Sequence, residues 1–151
     1  MNEFIQQSVA EIGIQLEFEV VELENLYLHW RSGAKADMNA GKGISAINLG
    51  YVTADPFYAL TRFAYSKYIA PNGVNWGGFD DAKVNEAIDK IRQTFDTKVQ
   101  DKLLAYVHER MVDESLMLWV VHDTNPHALS PKVKNFVQAQ HWFQDLTTIG
   151  M

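Results

Sequence analysis

Five histidines, nineteen carboxylates and no cysteine bound what the side chains of this chain can do chemically. Without cysteine there is no disulfide scaffold, no thiolate zinc site and no cysteine nucleophile. Metal chemistry would fall to histidine and carboxylate. His122 and His127 flank a turn containing Pro126, while His29, His108 and His141 fall on separate elements. No pair has the HExxH spacing that sets two imidazoles on one helix face, and no carboxylate clusters with them in sequence. His108 and His122 therefore read as structural histidines. Asp123 beside His122 makes a poor catalytic dyad, because neighbours on a strand point to opposite faces. Gly41-Lys42-Gly43 has the look of a phosphate loop, but Ala36 stands where the motif needs glycine, and Gly43 follows the lysine in place of Ser or Thr. Asp80-Asp81 and Asp113-Glu114 fall at helix ends, the first favourable at an N-terminus and the second simply solvated. This reading assigns no catalytic residue, no metal site and no cofactor.

The elements that must carry these residues follow from composition and period. At 151 residues the chain suits one domain, or one domain with an appendage from a neighbour. It is 47% hydrophobic and 21% charged, enough to bury a core and too apolar for disorder. Its net charge is −6, with Lys and Arg scattered singly, so no basic stripe meets a nucleic acid. An acidic balance of this size mainly supports solubility. Leu116 to Val121, the longest apolar run, is far too short to span a bilayer, and no signal peptide is visible. The chain opens inside a helical pattern of Ile5, Val9 and Ile12, as an excised piece of a longer protein would.

That first helix runs to about Ile12, with Gly13 as its left-handed end. Ile14, Leu16, Phe18 and Val20 then alternate with mostly acidic residues, which predicts a strand. Leu23, Leu26, Tyr27 and Trp30 predict a second helix closed by Gly33, and residues 33–43 a polar loop. Ile44 to Val52 reads as another strand. Asp55-Pro56 starts a short helix carrying Phe57, Leu60 and Phe63, with Asp55 as cap and Pro56 at the first helical position. Residues 65–78 form an aromatic, Gly- and Asn-rich loop. Asp80 or Asp81 caps a helix with the stripe Val84, Ala87, Ile88 and Ile91. Thr97 and Gln100 make a capping-box pattern for a longer helix to about Ser115, with Leu103, Val107 and Met111 aligned. Leu116 to His122 reads as a fully buried strand. The tail holds the turns Asn125-Pro126 and Ser130-Pro131 and the apolar segment Val133 to Val137.

The order of these pieces is more specific than any one of them. "IGIQLEFEVVE", "ISAINLGY", "ADP", "NWGGFDDAKVNEAIDKI", the run from Thr97 to Asp123 and Val133-Lys134-Asn135-Phe136 appear in register. Together they make the chain resemble the second half of the family-5 solute-binding proteins, which serve ABC importers for dipeptides, oligopeptides and nickel. The likeness implies an α/β (mixed α+β) fold of the periplasmic-binding-protein-like II type, with a small mixed sheet flanked by helices. It also implies a second lobe over residues 1–123, and over residues 124–151 a crossover and tail that would pack on a first lobe.

The function implied is extracytoplasmic, periplasmic capture of a small peptide-like solute and delivery to a membrane permease by the full-length protein. The family's cleft-facing loop points to Tyr51, Thr53 and Asp55, with Asn75 and Trp76 in the aromatic loop next. Peptide binders carry an additional Asp upstream of Asp-Pro, and this sequence lacks it. Asp55 could serve a ligand or simply cap its helix. Trp76 could stack on a ligand or close an interface. Two readings compete: a small metal-dependent or hydrolytic enzyme built on His122, Asp123 and His127, and a standalone interaction domain. The apolar tail, with Val133, Phe136, Val137, Trp142, Phe143, Leu146 and Ile149, points to self-association of the chain.

Overall fold

Aspartate decides where three helices of this chain begin. A computed structural model describes residues 2–40, 55–119, 126–139 and 144–150. Its α-helices are α1 (Asn2–Ala10), α2 (Leu23–Ser32), α3 (Pro56–Ala64), α4 (Ala82–Ile91) and α5 (Thr97–Asp113), with 3-10 turns at Asp37–Asn39 and Ser66–Tyr68. Asp55 accepts the Phe57 N–H at 3.0 Å and Pro56 follows it at the first helical position, as the sequence predicts. Of the pair before α4, Asp81 is the cap, accepting the N–H groups of Lys83 at 2.8 Å and Val84 at 3.1 Å. The expected capping box at Thr97 is not formed. Asp96 caps α5 through Lys98 and Val99, and Gln100 instead donates to the Thr94 carbonyl at 2.7 Å. A carboxylate outcompetes a hydroxyl there because it is the stronger acceptor and its charge suits the helix N-terminus.

Residues with positive φ follow α1, α2 and α5. After α1, the Gly13 N–H reaches Ala10 O and the Ile14 N–H reaches Val9 O, each at 3.0 Å. These are the paired bonds of a Schellman motif, with Gly13 at φ 85°. Gly33 closes α2 at φ 79° through a bond to Trp30 O. The end of α5 repeats the Schellman pattern with Ser115 bonded to Val112 O and Leu116 to Met111 O, but the left-handed residue there is a serine at φ 51°.

The core is the meeting of α3, α4 and α5. Val84, Ala87, Ile88 and Ile91 are all buried, so the α4 stripe is borne out. On α5 the buried line is Leu104, Val107 and Met111, while Leu103, expected in that line, is only partly buried. Phe63, Ala64 and Tyr65 complete the cluster from the end of α3. Each large side chain removed from water here contributes roughly 1.5–3 kcal/mol.

The expected mixed sheet is overturned. Among the described residues there is no strand or sheet, only the isolated bridges Ile69–Asn75 and Lys134–Gly150. Residues 14–20 form no regular element, and Ile14, Phe18 and Val20 are exposed, Val20 at 96%. Alternation makes a segment fit to be a strand; it becomes one only where a second backbone takes its N–H and C=O groups. No described segment does so. Leu116 to His122 is likewise not a buried strand where it is described: Leu116 and Met117 touch the core, but Leu118 is 71% exposed. The predicted strand at Ile44 to Val52 lies outside the described residues. The tail is held by its own bonds, with Lys134 and Gly150 exchanging N–H groups and carbonyls at 2.9 and 3.2 Å. None of its described side chains joins the helical core.

Ser115 holds a backbone conformation that glycine adopts without steric cost. Ser115→Gly should therefore raise the unfolding free energy by about 0.5–1 kcal/mol, read as a higher urea midpoint at unchanged slope.

Candidate functional site

The candidate residues divide by where α3 places them. Tyr51 and Thr53 lie outside the described residues. Asp55 stands at the N-terminus of α3 as its cap. Asn75 and Trp76 belong to the loop that follows the other end of the helix. Nine residues of helix, about 13 Å, separate the two groups, so α3 keeps them apart.

Asn75 is 1% exposed, and its amide is spent on the loop itself. Its Nδ2 donates to Tyr65 O at 3.2 Å and Phe79 O at 2.8 Å, while its Oδ1 accepts the Phe79 N–H at 3.0 Å. Both amide hydrogens are thus used inside the protein. Asn75 is a positioning residue that folds 65–79 back on itself. Gly73 serves the same turn: a Cβ there would lie 2.8 Å from the Tyr68 Cβ and carbonyl oxygen.

Trp76, next in the chain, is half-buried and stacks on Trp30 with centroids 4.5 Å apart and planes at 17°. Phe63 meets it edge-on at 5.9 Å, and Tyr27 meets Trp30 edge-on at 5.1 Å. The Trp76 carbonyl also accepts the Ala34 N–H at 3.3 Å. The ring therefore joins α2 and α3 through the loop. These contacts are internal packing between α2, α3 and the loop. Sequence reasoning missed Trp30 as its partner, although the burial signal was there in the helical spacing of Tyr27 and Trp30.

Other electrostatically coupled polar groups lie elsewhere. Arg110 on α5 reaches Asp81 at 3.2 Å and Glu114 at 2.5 Å. The Val84 N–H holds the Asp81 carboxyl below the usual carboxylate range against the opposing effect of burial, helped by the Lys83 N–H and Arg110. These residues, with Lys83 and Tyr106, line an open hollow of about 470 Å³. The same atoms cap α4 and tie it to α5, so the hollow is the outer face of a structural clamp. A second clamp ties the loop to α4: the Tyr65 hydroxyl donates to Asp89, Lys67 approaches Asp89 at 3.5 Å, and Asn85 accepts the Ser66 N–H at 3.0 Å.

The described histidines have structural neighbours. His29 Nδ1 donates to Asn39 Oδ1 at 2.5 Å, and buried Asn39 returns its amide to His29 O and Gly33 O. His108 meets Trp119 edge-on at 5.7 Å, and His127 lies 5.6 Å from Phe136. His122, Asp123 and His141 lie outside the described residues. Among the described residues no three His, Asp or Glu side chains gather as a metal would need.

A urea series on two variants separates cap from pin. Asp55→Ala should cost about 1 kcal/mol, with Asp55→Ser recovering most of it. Asn75→Ala should cost about 2–4 kcal/mol, because it strands a buried N–H and two buried carbonyls. Equal small losses would show that neither side chain holds its element in place. Against models of known protein families and against curated proteins, the chain finds no match.

Proposed function

We propose that this chain is part of the second lobe of an extracytoplasmic solute-binding protein of an ABC importer, a non-catalytic module that holds one side of a solute cleft. The observation that carries the reading is a small helical core flanked, among the described residues, by exposed apolar side chains. α1 buries no residue, and Phe4 is 70% exposed. Ile12, Ile14, Phe18, Val20 and Leu23 follow it in the open, and Leu146 and Val137 do the same in the tail. Apolar surface of this extent marks an association face. A lobe built to pack beside another lobe, with a tail that crosses over to it, has this distribution. The sequence order of the Gly50-Tyr51 segment, Asp55-Pro56, the Asn75-Trp76 loop and α4 adds the family likeness. No helix among the described residues is long and apolar enough to cross a membrane, so contact with a permease falls to exposed surface of the whole protein.

The solute on this reading is small and peptide-like, and its cleft is completed by the first lobe. Domain closure sequesters such a ligand, and one lobe supplies about half of the buried contact. Isothermal calorimetry of the 151-residue chain against peptide, sugar and nickel libraries should therefore be flat in the sub-micromolar range. The DNA flanking its coding sequence should encode a first lobe with a signal peptide, beside permease and ATPase genes. A sub-micromolar solute bound by the chain alone, stoichiometric zinc, or turnover of an ester or peptide bond would overturn the proposal.

A further inference from the structure

Arg62, on α3, is a cation with no ion-pair partner among the described residues. Its guanidinium lies over the Tyr58 ring at 5.4 Å and over the Phe63 ring at 4.9 Å. Its Nε–H is buried with no acceptor. No carboxylate among the described residues lies within ion-pair distance of it. Arg110 gives the contrast, since two carboxylates satisfy its charge. Arg62 as a whole is half-buried, so its side chain is only partly withdrawn from solvent.

Ring contact on the guanidinium does two things. It attracts the cation without neutralising it, and it fixes the plane of the fork. A planar group held in one orientation loses little entropy when a planar carboxylate meets it through parallel N–H···O bonds. A buried Nε–H that is already out of water strengthens the field at that edge. We propose that Arg62, oriented by Tyr58 and Phe63, is a recognition site for a ligand carboxylate on the face of α3. The site lies on the helix that runs from Asp55 to the Phe63–Trp76 contact, between the two groups of residues that the family likeness points to. The inference deepens the solute-capture reading and rests on it for the claim that the carboxylate belongs to a solute, most simply the free C-terminus of a peptide.

Two probes of equal size separate recognition from general charge effects: N-acetylglycinate and N-acetylglycinamide, titrated into ¹⁵N-labelled chain at constant ionic strength. The acid should give a saturable millimolar shift at the Arg62 Nε–H and at the Tyr58 and Phe63 amides, and the amide should give none. Arg62→Gln should abolish the response. Arg62→Lys, which keeps the charge and loses the fork, should weaken it roughly fivefold or more. Each variant is first checked for an unchanged spectrum of α4 and α5. A shift spread evenly over lysines and arginines, or one that survives Arg62→Gln, overturns the site. So does a two-lobed protein that takes peptide amides as readily as peptide acids, and that result leaves solute capture standing. An Arg62-centred response in a chain whose flanking genes encode no importer supports the site and removes only the solute.

Discussion

The contact between α4 and α5 is the constraint on which the described structure depends. Val84, Ile88 and Ile91 on one helix meet Leu104, Val107 and Met111 on the other, in a cluster closed to water. A short connection, residues 92–96, holds the two antiparallel neighbours together, and Asp96 fixes where the second one starts. Arg110 and Asp81 clamp the pair on its polar side, so one carboxylate both begins α4 and ties it to α5. α3 then has a floor to lie on, through Phe63, Ala64 and Tyr65. Only with α3 placed can the 65–79 loop fold around Asn75 and present Trp76 to Trp30.

What could be read in the residues, and what could not, divides by the range of the interactions. The α4 stripe, the Asp55-Pro56 start, and the Gly13 and Gly33 ends are set by atoms a few positions apart, and the sequence displays them directly. The alternation of residues 14–20 is as regular as any strand's, but pairing is a property of two segments, and one segment cannot display it. The same holds for Leu116 to Trp119, where an apolar run says only that burial would be favourable. At Thr97 the capping-box pattern was present, and a neighbouring carboxylate took the position. Asn75 looked like a ligand group because it sits in a polar, aromatic loop. Its burial and its three bonds to the loop backbone identify it as a pin.

The functional reading rests on the same contrast between filled and unfilled interactions. Where the chain has ionised groups in its clamps, they answer one another: Arg110 with Asp81 and Glu114, Lys67 with Asp89. Arg62 departs from that rule, and so does the apolar N-terminal flank. A self-contained domain gains stability by covering such groups, whereas a lobe retains them for what it closes upon. On the proposed reading, the cleft face on α3 and the bare flanks are two expressions of one property, interactions reserved for something beyond the helical core.

Native-state hydrogen exchange tests that division of the molecule most directly. If the α4–α5 contact is the foundation, amides of α4, α5 and Phe63 to Tyr65 exchange with one common, highest protection that equals the global unfolding free energy. Amides of α1, residues 14–20 and the tail exchange far faster, because no core side chains hold them. Protection of α1 and residues 14–20 equal to that of α5 would contradict the account, since those segments would then belong to the core instead of awaiting a partner.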